Sequence, residues 1–243
     1  MLWLRKGLNQ PVKTLTVKKS SASTLPGLSS GRPAPTASKN APLATICPTH
    51  ALREQEGMMD VDYARCIHCR RCHQPSLKNQ MAWEEGYHWA EIRSPSPRLP
   101  GAFRHSLHMR VVDAGDCGAC LNELHQLASP VYSLHRLGIA FTPTPRDADV
   151  LVVTGPVTVS MKEALEEAYR AMPGPKRVMA VGSCALSGGM FASSFAVAGP
   201  VERVISVDIA VPGCPPPPLA LLDGFRLLMG TASEGPVEGT VKP

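Results

Sequence analysis

The run Cys66-Ile67-His68-Cys69-Arg70-Arg71-Cys72 constrains this chain more than any other feature. Three cysteines at C-x2-C-x2-C spacing bring three thiolates to one short loop. Three such thiolates can reach three corners of one iron–sulfur cubane, and a fourth ligand must then come from elsewhere. Zinc is the alternative, but zinc sites favour paired ligands and a run of three fits that pattern poorly. The surrounding stretch, residues 41 to 80, is short and polar, with little apolar periodicity. Such a segment cannot bury a core of its own, so a bound metal group is expected to order it.

Residues 81–107 read as a connector, with Pro95, Pro97 and Pro100 breaking regular structure. From His108 the pattern changes. Met109 to Val112 reads as a short strand followed by a glycine turn at Gly115. Asn122 to Leu137 reads as helical with a break near Pro130. Val150 to Val153 is a four-residue apolar run, as in a buried parallel strand. Ser160 and Glu163 have the spacing of a capping box. The helix they would start carries Met161, Ala164, Leu165, Ala168, Tyr169 and Met172 on one face and stops at Pro173-Gly174. Arg177 to Val181 and Val204 to Val211 read as strands, and Leu219 to Met229 as a closing helix. Strands alternating with helices predict a parallel sheet covered on both faces.

Four more cysteines fall at the expected strand ends. Cys117-Gly118-Ala119-Cys120 follows the first strand, Cys184 follows the strand ending at Val181, and Cys214 follows the strand ending at Val211. Ligands of open α/β sheets collect at the carboxyl ends of strands. Glycines attend each position, among them Gly118, Gly182, Gly189 and Gly213, and glycine lets backbone approach a bulky group closely. A lone cysteine would be read as a buried structural thiol; four at one sheet edge point to a second metal group.

Charge is unevenly placed. Residues 1 to 46 hold seven Lys and Arg and no acid, so against a total of +5 the rest of the chain is net −2. Residues 1–40 read as a basic Ser/Pro-rich tail suited to an acidic partner or an anionic membrane surface, and residues 231–243 as a second tail. No aromatic residue follows Trp3 among the basic ones, which argues against nucleic acid. Arg5 and Lys6 interrupt any secretory apolar region, and no apolar run approaches the roughly 18 residues of a membrane span, so the chain is expected to be soluble or peripheral. His68, Arg70, Arg71 and His73 place positive charge beside the first cysteine run, which would favour a reduced cluster, or else form an ordinary solvated loop.

The string Ile46-Cys47-Pro48-Thr49 resembles the close of a bacterial ferredoxin half-motif, in which a remote Cys-Pro supplies the fourth ligand of a C-x2-C-x2-C cluster. That resemblance implies Cys47 as partner to Cys66, Cys69 and Cys72. The further cysteine run and Cys-Pro of a two-cluster ferredoxin are missing together, as in a module that lost one cluster whole.

Val112 to Glu123, Ala148 to Thr158, Gly182-Ser183-Cys184-Ala185 and Val211 to Pro216 resemble the small cluster-bearing subunit shared by complex I and the membrane-bound energy-converting NiFe hydrogenases, including formate hydrogenlyase. The resemblance covers about residues 108–230. It implies a flavodoxin-like α/β domain whose Cys117, Cys120, Cys184 and Cys214 hold one [4Fe-4S] cluster facing a large catalytic subunit. The C-x2-C pair is similar to the hydrogenase branch; the complex I branch has adjacent cysteines there. Glu123 matches an acidic position of the family and is a candidate proton relay, or a helix-start glutamate favoured by the helix dipole. The first 80 residues are similar to a truncated ferredoxin-like neighbouring subunit.

The expected protein is therefore a non-catalytic electron-relay subunit of an oxidoreductase complex, with two [4Fe-4S] clusters in two modules, 41–80 and 108–230. Its expected partners are a large catalytic subunit and other iron–sulfur and membrane subunits, on the cytoplasmic side of a membrane. The competing readings are a complex I-type relay to quinone and a non-enzymatic iron–sulfur scaffold or sensor.

Overall fold

The computed structural model describes residues 31–36, 42–73, 81–84, 86–96 and 98–231. The basic tail lies outside the described residues except for 31–36, and so does the C-terminal tail beyond residue 231.

The N-terminal part is small. β1 (Arg32–Ala34) is followed by α1 (Pro42–Ile46), β2 (Leu52–Gln55), β3 (Met58–Val61) and β4 (Ala82–Glu84). β2 and β3 form an antiparallel hairpin closed by Glu56 and Gly57, both left-handed at φ 51° and 78°. Two positive φ values in a two-residue loop match the twist of a tight hairpin. β1 pairs antiparallel with β4. Leu43, Leu52, Met59, Val61 and Met81 make a compact core, with Cys47 and Cys72 packed against it. β1 thus falls in the stretch read as tail, and β4 in the stretch read as connector.

The remaining elements build one larger sheet. They are β5 (Glu91–Ile92), β6 (Leu107–Asp113), α2 (Ala119–Gln126), β7 (Ile139–Phe141), β8 (Val150–Thr154), β9 (Val157–Thr158), α3 (Val159–Ala171), β10 (Arg177–Val181), α4 (Ser183–Ser187), β11 (Val197–Gly199), β12 (Ile209–Val211) and α5 (Pro218–Met229). The six-stranded order is β5-β12-β10-β8-β6-β7, parallel except for the β5 edge. Numbered by chain order, the five parallel strands run 2-1-3-4-5, the flavodoxin-like arrangement.

Alternation along the strands divides the core. Met109, Val150, Val152, Met179, Ile209 and Val211 face α2 and α5, whereas Leu151, Val153, Val178 and Ala180 face α3. β8 is buried throughout. All five of its residues therefore had to be apolar or small, which is why it reads as an unbroken run.

Several expected boundaries move. The capping box at Ser160 does not form: α3 starts at Val159 directly from β9, and its N-cap Thr158 makes no side-chain cap bond. The helix expected over Asn122 to Leu137 is α2, which begins earlier behind left-handed Gly118 and ends at Gln126; a separate 3-10 turn covers Leu134–Leu137. Of the strand expected over Val204 to Val211, only Ile209–Val211 pairs. The connector is ordered by Trp89, 2% exposed in the main core, and by β5.

Candidate metal centres

Four cysteines meet in one cavity of the N-terminal module. Cys47 follows α1, Cys66 and Cys69 lie on the loop after β3, and Cys72 sits in the 3-10 turn Arg71–His73. All four line the same cavity, with Thr49, Ile67 and Trp83 among its other walls. His68 and Arg70 are both left-handed, at φ 51° and 59°. Two non-glycine residues in that region within three positions is uncommon; it curls the loop so that its three cysteines share one space.

Burial governs the thiols. It pushes Cys66 up to about 12; the His68 N–H works against this, and neighbouring Cys72, Cys47 and Cys69 add to it. Cys72 is raised chiefly by burial, then by Cys69. Cys47 differs: burial raises it, but hydrogen bonds from Thr49 and from the Ala51 and Leu52 backbone outweigh that and bring it below the usual thiol value. The Ala51 N–H donates to Cys47 Sγ at 3.2 Å. Cys47 is therefore more readily ionised than Cys66 or Cys72, as a metal ligand requires.

His68 does not supply the positive charge expected of it. Its ring packs edge-on against Trp89 at 4.7 Å, and burial, followed by Arg32 and Arg70, lowers its pKa to about 4. It is neutral at pH 7, so the charge near the cavity falls to its neighbours. His73 stacks 4.7 Å from Trp83 and leaves Nδ1 buried with no hydrogen-bond partner.

The second quartet gathers at the carboxyl edge of the large sheet. Cys117 and Cys120 follow β6, with Cys120 buried in the first turn of α2; Cys184 is the second residue of α4, and Cys214 follows β12. Burial raises the Cys120 thiol, and nearby Asp116, Cys214, Cys184 and Cys117 raise it further. Burial, then Cys214 and Cys117, push Cys184 up to about 11. Cys214 is raised by burial, then by Cys117 and Asp116. The cysteines acting on Cys66 and Cys72 all belong to the first quartet and those acting on Cys120, Cys184 and Cys214 to the second, so the cysteines form two separate groups.

At the second site glycine backbone passes close to two of the sulfurs. A Cβ on Gly182 would lie 2.6 Å from Cys120 Sγ, and one on Gly189 2.6 Å from Cys184 Sγ. Side chains there would push the sulfurs out of place. Thr154, the last residue of β8, is fully buried and its hydroxyl has no partner. β8 lies between β6 and β10, the strands that lead to Cys120 and Cys184. Asp113 accepts from the Gly115 and Asp116 N–H groups at 2.9 and 2.6 Å, and Asp116 accepts from the Leu121 N–H at 2.9 Å, so the loop carrying Cys117 is held rigid. Glu123, one turn beyond Cys120 on α2, is half-buried, which raises its carboxyl pKa.

Among the described residues no three His, Cys, Asp or Glu side chains converge on a single ion. The first four cysteines spread instead around the walls of their cavity. A [4Fe-4S] cluster held by four thiolates fits this donor set and the glycine cradles of the second site.

The two sites are joined by contacts that sequence reasoning missed. Ser183 Oγ donates to the Cys66 carbonyl at 2.7 Å, and Ser187 Oγ lies 2.9 Å from the Ala64 carbonyl. Two serines four residues apart around Cys184 share one helix face, but the backbone carbonyls they reach carry no mark in the sequence.

Comparison with known proteins adds three findings. The profile of the family described as NADH ubiquinone oxidoreductase, 20 Kd subunit, matches residues 117–228. Formate hydrogenlyase subunit 7 of Escherichia coli is 37% identical over 139 residues, 57% of this chain but only 54% of that subunit. A probable membrane-bound hydrogenase subunit of Pyrococcus furiosus is 39% identical over 132 residues, covering 54% of this chain and 78% of its own length.

Proposed function

The chain belongs to the family of the NADH ubiquinone oxidoreductase 20 Kd subunit, and from that premise we propose that it is the electron-relay subunit of a membrane-associated, hydrogenase-type oxidoreductase complex. The observation that carries this reading is the division of eight cysteines into two separate quartets, one in a small N-terminal module and one at the sheet edge of a flavodoxin-like domain.

In this reading Cys47, Cys66, Cys69 and Cys72 hold one [4Fe-4S] cluster, and Cys117, Cys120, Cys184 and Cys214 hold a second. When bound, the clusters supply one-electron redox chemistry. The chain's residues do the rest. Glycines 182 and 189 leave room at the sulfurs, the Asp113 and Asp116 hydrogen bonds fix the loop of Cys117, Trp83 lines the first cavity, and Trp89 packs behind His68 on its wall. Glu123 is placed to hold a proton near the second site. The first module centres on 41–80 and takes in β1 and β4, and the second centres on 108–230 and takes in Trp89 and β5 from the connector 81–107. Among the described residues no helix is long and apolar enough to cross a membrane; attachment would come through a large catalytic subunit and membrane subunits, on the cytoplasmic side.

The test is the assembled complex. Hydrogen-dependent reduction of a low-potential carrier, with nickel in the partner, supports the hydrogenase reading. The complex I-type reading is favoured instead by a nickel-free complex whose turnover a quinone analogue inhibits. Purification as a monomer with both clusters and no large partner contradicts both.

A further inference from the structure

We propose that Ser183 is the junction between the two metal sites, the residue through which the Cys66 loop is held in hydrogen-bonded contact with the second quartet. This rests on the two-cluster reading above.

The geometry singles out this hydroxyl. Ser183 is 1% exposed and immediately precedes Cys184. Its backbone N–H donates to the Gly213 carbonyl at 2.8 Å, next to Cys214. Its hydroxyl lies 3.2 Å from that same carbonyl and 2.7 Å from the Cys66 carbonyl. A serine has one hydroxyl proton. The Gly213 oxygen is already served by the backbone N–H, so the proton goes to the shorter contact, at Cys66. One residue thereby touches the backbone of a first-site cysteine, precedes one second-site cysteine and binds the residue before another.

Ser187 makes a parallel link one turn along α4. Its hydroxyl is 2.9 Å from both the Ala64 and Ser183 carbonyls and accepts from the Gly189 N–H at 3.2 Å. The two serines sit at i and i+4 on one face. They differ in what they reach: Ser187 fastens the loop, whereas Ser183 fastens the ligand residue itself. Covalent and hydrogen bonds carry electronic coupling better than empty space does. With both clusters bound, an electron passing from the first site, oxidised by one, to the second, reduced by one, would have a hydrogen-bonded route through the Cys66 carbonyl and the Ser183 hydroxyl, and no proton need move.

The experiment compares Ser183→Ala and Ser187→Ala in the full chain, purified without oxygen. Each variant deletes one oxygen and keeps a good helix former. Hydrogen exchange of the 64–69 amides reports docking, and paramagnetic resonance of the fully reduced chain reports spin coupling between the sites. Both variants should lower protection at 64–69 by roughly two- to tenfold, the scale of one neutral hydrogen bond. Only Ser183→Ala should also weaken the spin–spin splitting. Equal splitting in Ser183→Ala and the unaltered chain, with both sites loaded, overturns the junction and leaves the two-cluster reading standing. An unaltered chain that never shows two clusters overturns the reading itself.

Discussion

Gly189 passes so close to Cys184 that a Cβ on it would sit 2.6 Å from the cysteine sulfur and 3.1 Å from its Cα. The glycine is also left-handed, at φ 54°. Gly189→Ala therefore meets two obstacles: a backbone strain of about 1–2 kcal/mol and a clash that displaces the Cys184 sulfur. The variant should lose the second cluster and keep the first. Paramagnetic resonance after reduction checks this, and retention of both signals would contradict the cradle.

Cys47 is far from its partners in sequence but shares their cavity. Cys47→Ala should cut the iron content by about half, since one of two four-iron clusters is lost. The surviving signal should be that of the second site. An unchanged spectrum would show that Cys47 is not the fourth ligand.

Thr154 offers a buried hydroxyl with no acceptor from the chain. Hydrogen bonds to cluster sulfurs favour the reduced, more negative state. Thr154→Val should therefore lower the second potential by about 40 mV, taking about 1 kcal/mol per hydrogen bond and 59 mV per tenfold for one electron. The cluster-free chain should be no less stable, because an unpaired buried hydroxyl is removed. Potentiometric titration decides; an equal shift at both sites would contradict the placement.

The cluster-free chain should weaken in alkali. Burial raises Cys66 from 9.0 to about 12 and Cys184 from 9.0 to about 11. The unfolded chain releases these protons first, so the stabilising contribution is complete below pH 9 and fades as pH rises to 11 and then 12. Urea midpoints across that range should fall, and should fall less in Cys66→Ser. For the same reason, loading a metal group must expel protons, so its affinity should rise with pH. A cluster-free chain whose midpoint is flat from pH 9 to 12 would contradict the burial of these thiols.

Legibility in the sequence followed burial. β8 and β10 could be read because Val150 to Val153 and Arg177 to Val181 are runs that a sheet covered on both faces demands. β12 was overextended because Val204 and Val207 are apolar for another reason: they pack beneath the sheet, while Asp208 uses its carboxylate to hold Ser94 Oγ at 2.8 Å and the Val178 N–H at 2.9 Å. The capping box at Ser160 failed because β9 feeds α3 without a break. That Cys66, Cys69 and Cys72 share a cavity was legible from their spacing, and that Cys117, Cys120, Cys184 and Cys214 share a sheet edge from the strand ends, whereas Cys47 joined the first three by resemblance alone. The Ser183–Cys66 contact was not, because it joins residues 117 positions apart through a backbone carbonyl, which carries no mark of residue type. Trp89 was overlooked in a proline-rich connector, although a buried tryptophan in a loop needs something to cover it.

The central claim is that one chain carries two [4Fe-4S] clusters, and its most direct test is iron and acid-labile sulfide measured together on the full chain purified without oxygen. About eight of each per chain, with a broad visible charge-transfer absorption bleached on reduction, is the predicted result. Stoichiometric zinc without that absorption, or about four iron with every first-site cysteine free to alkylate, would contradict it.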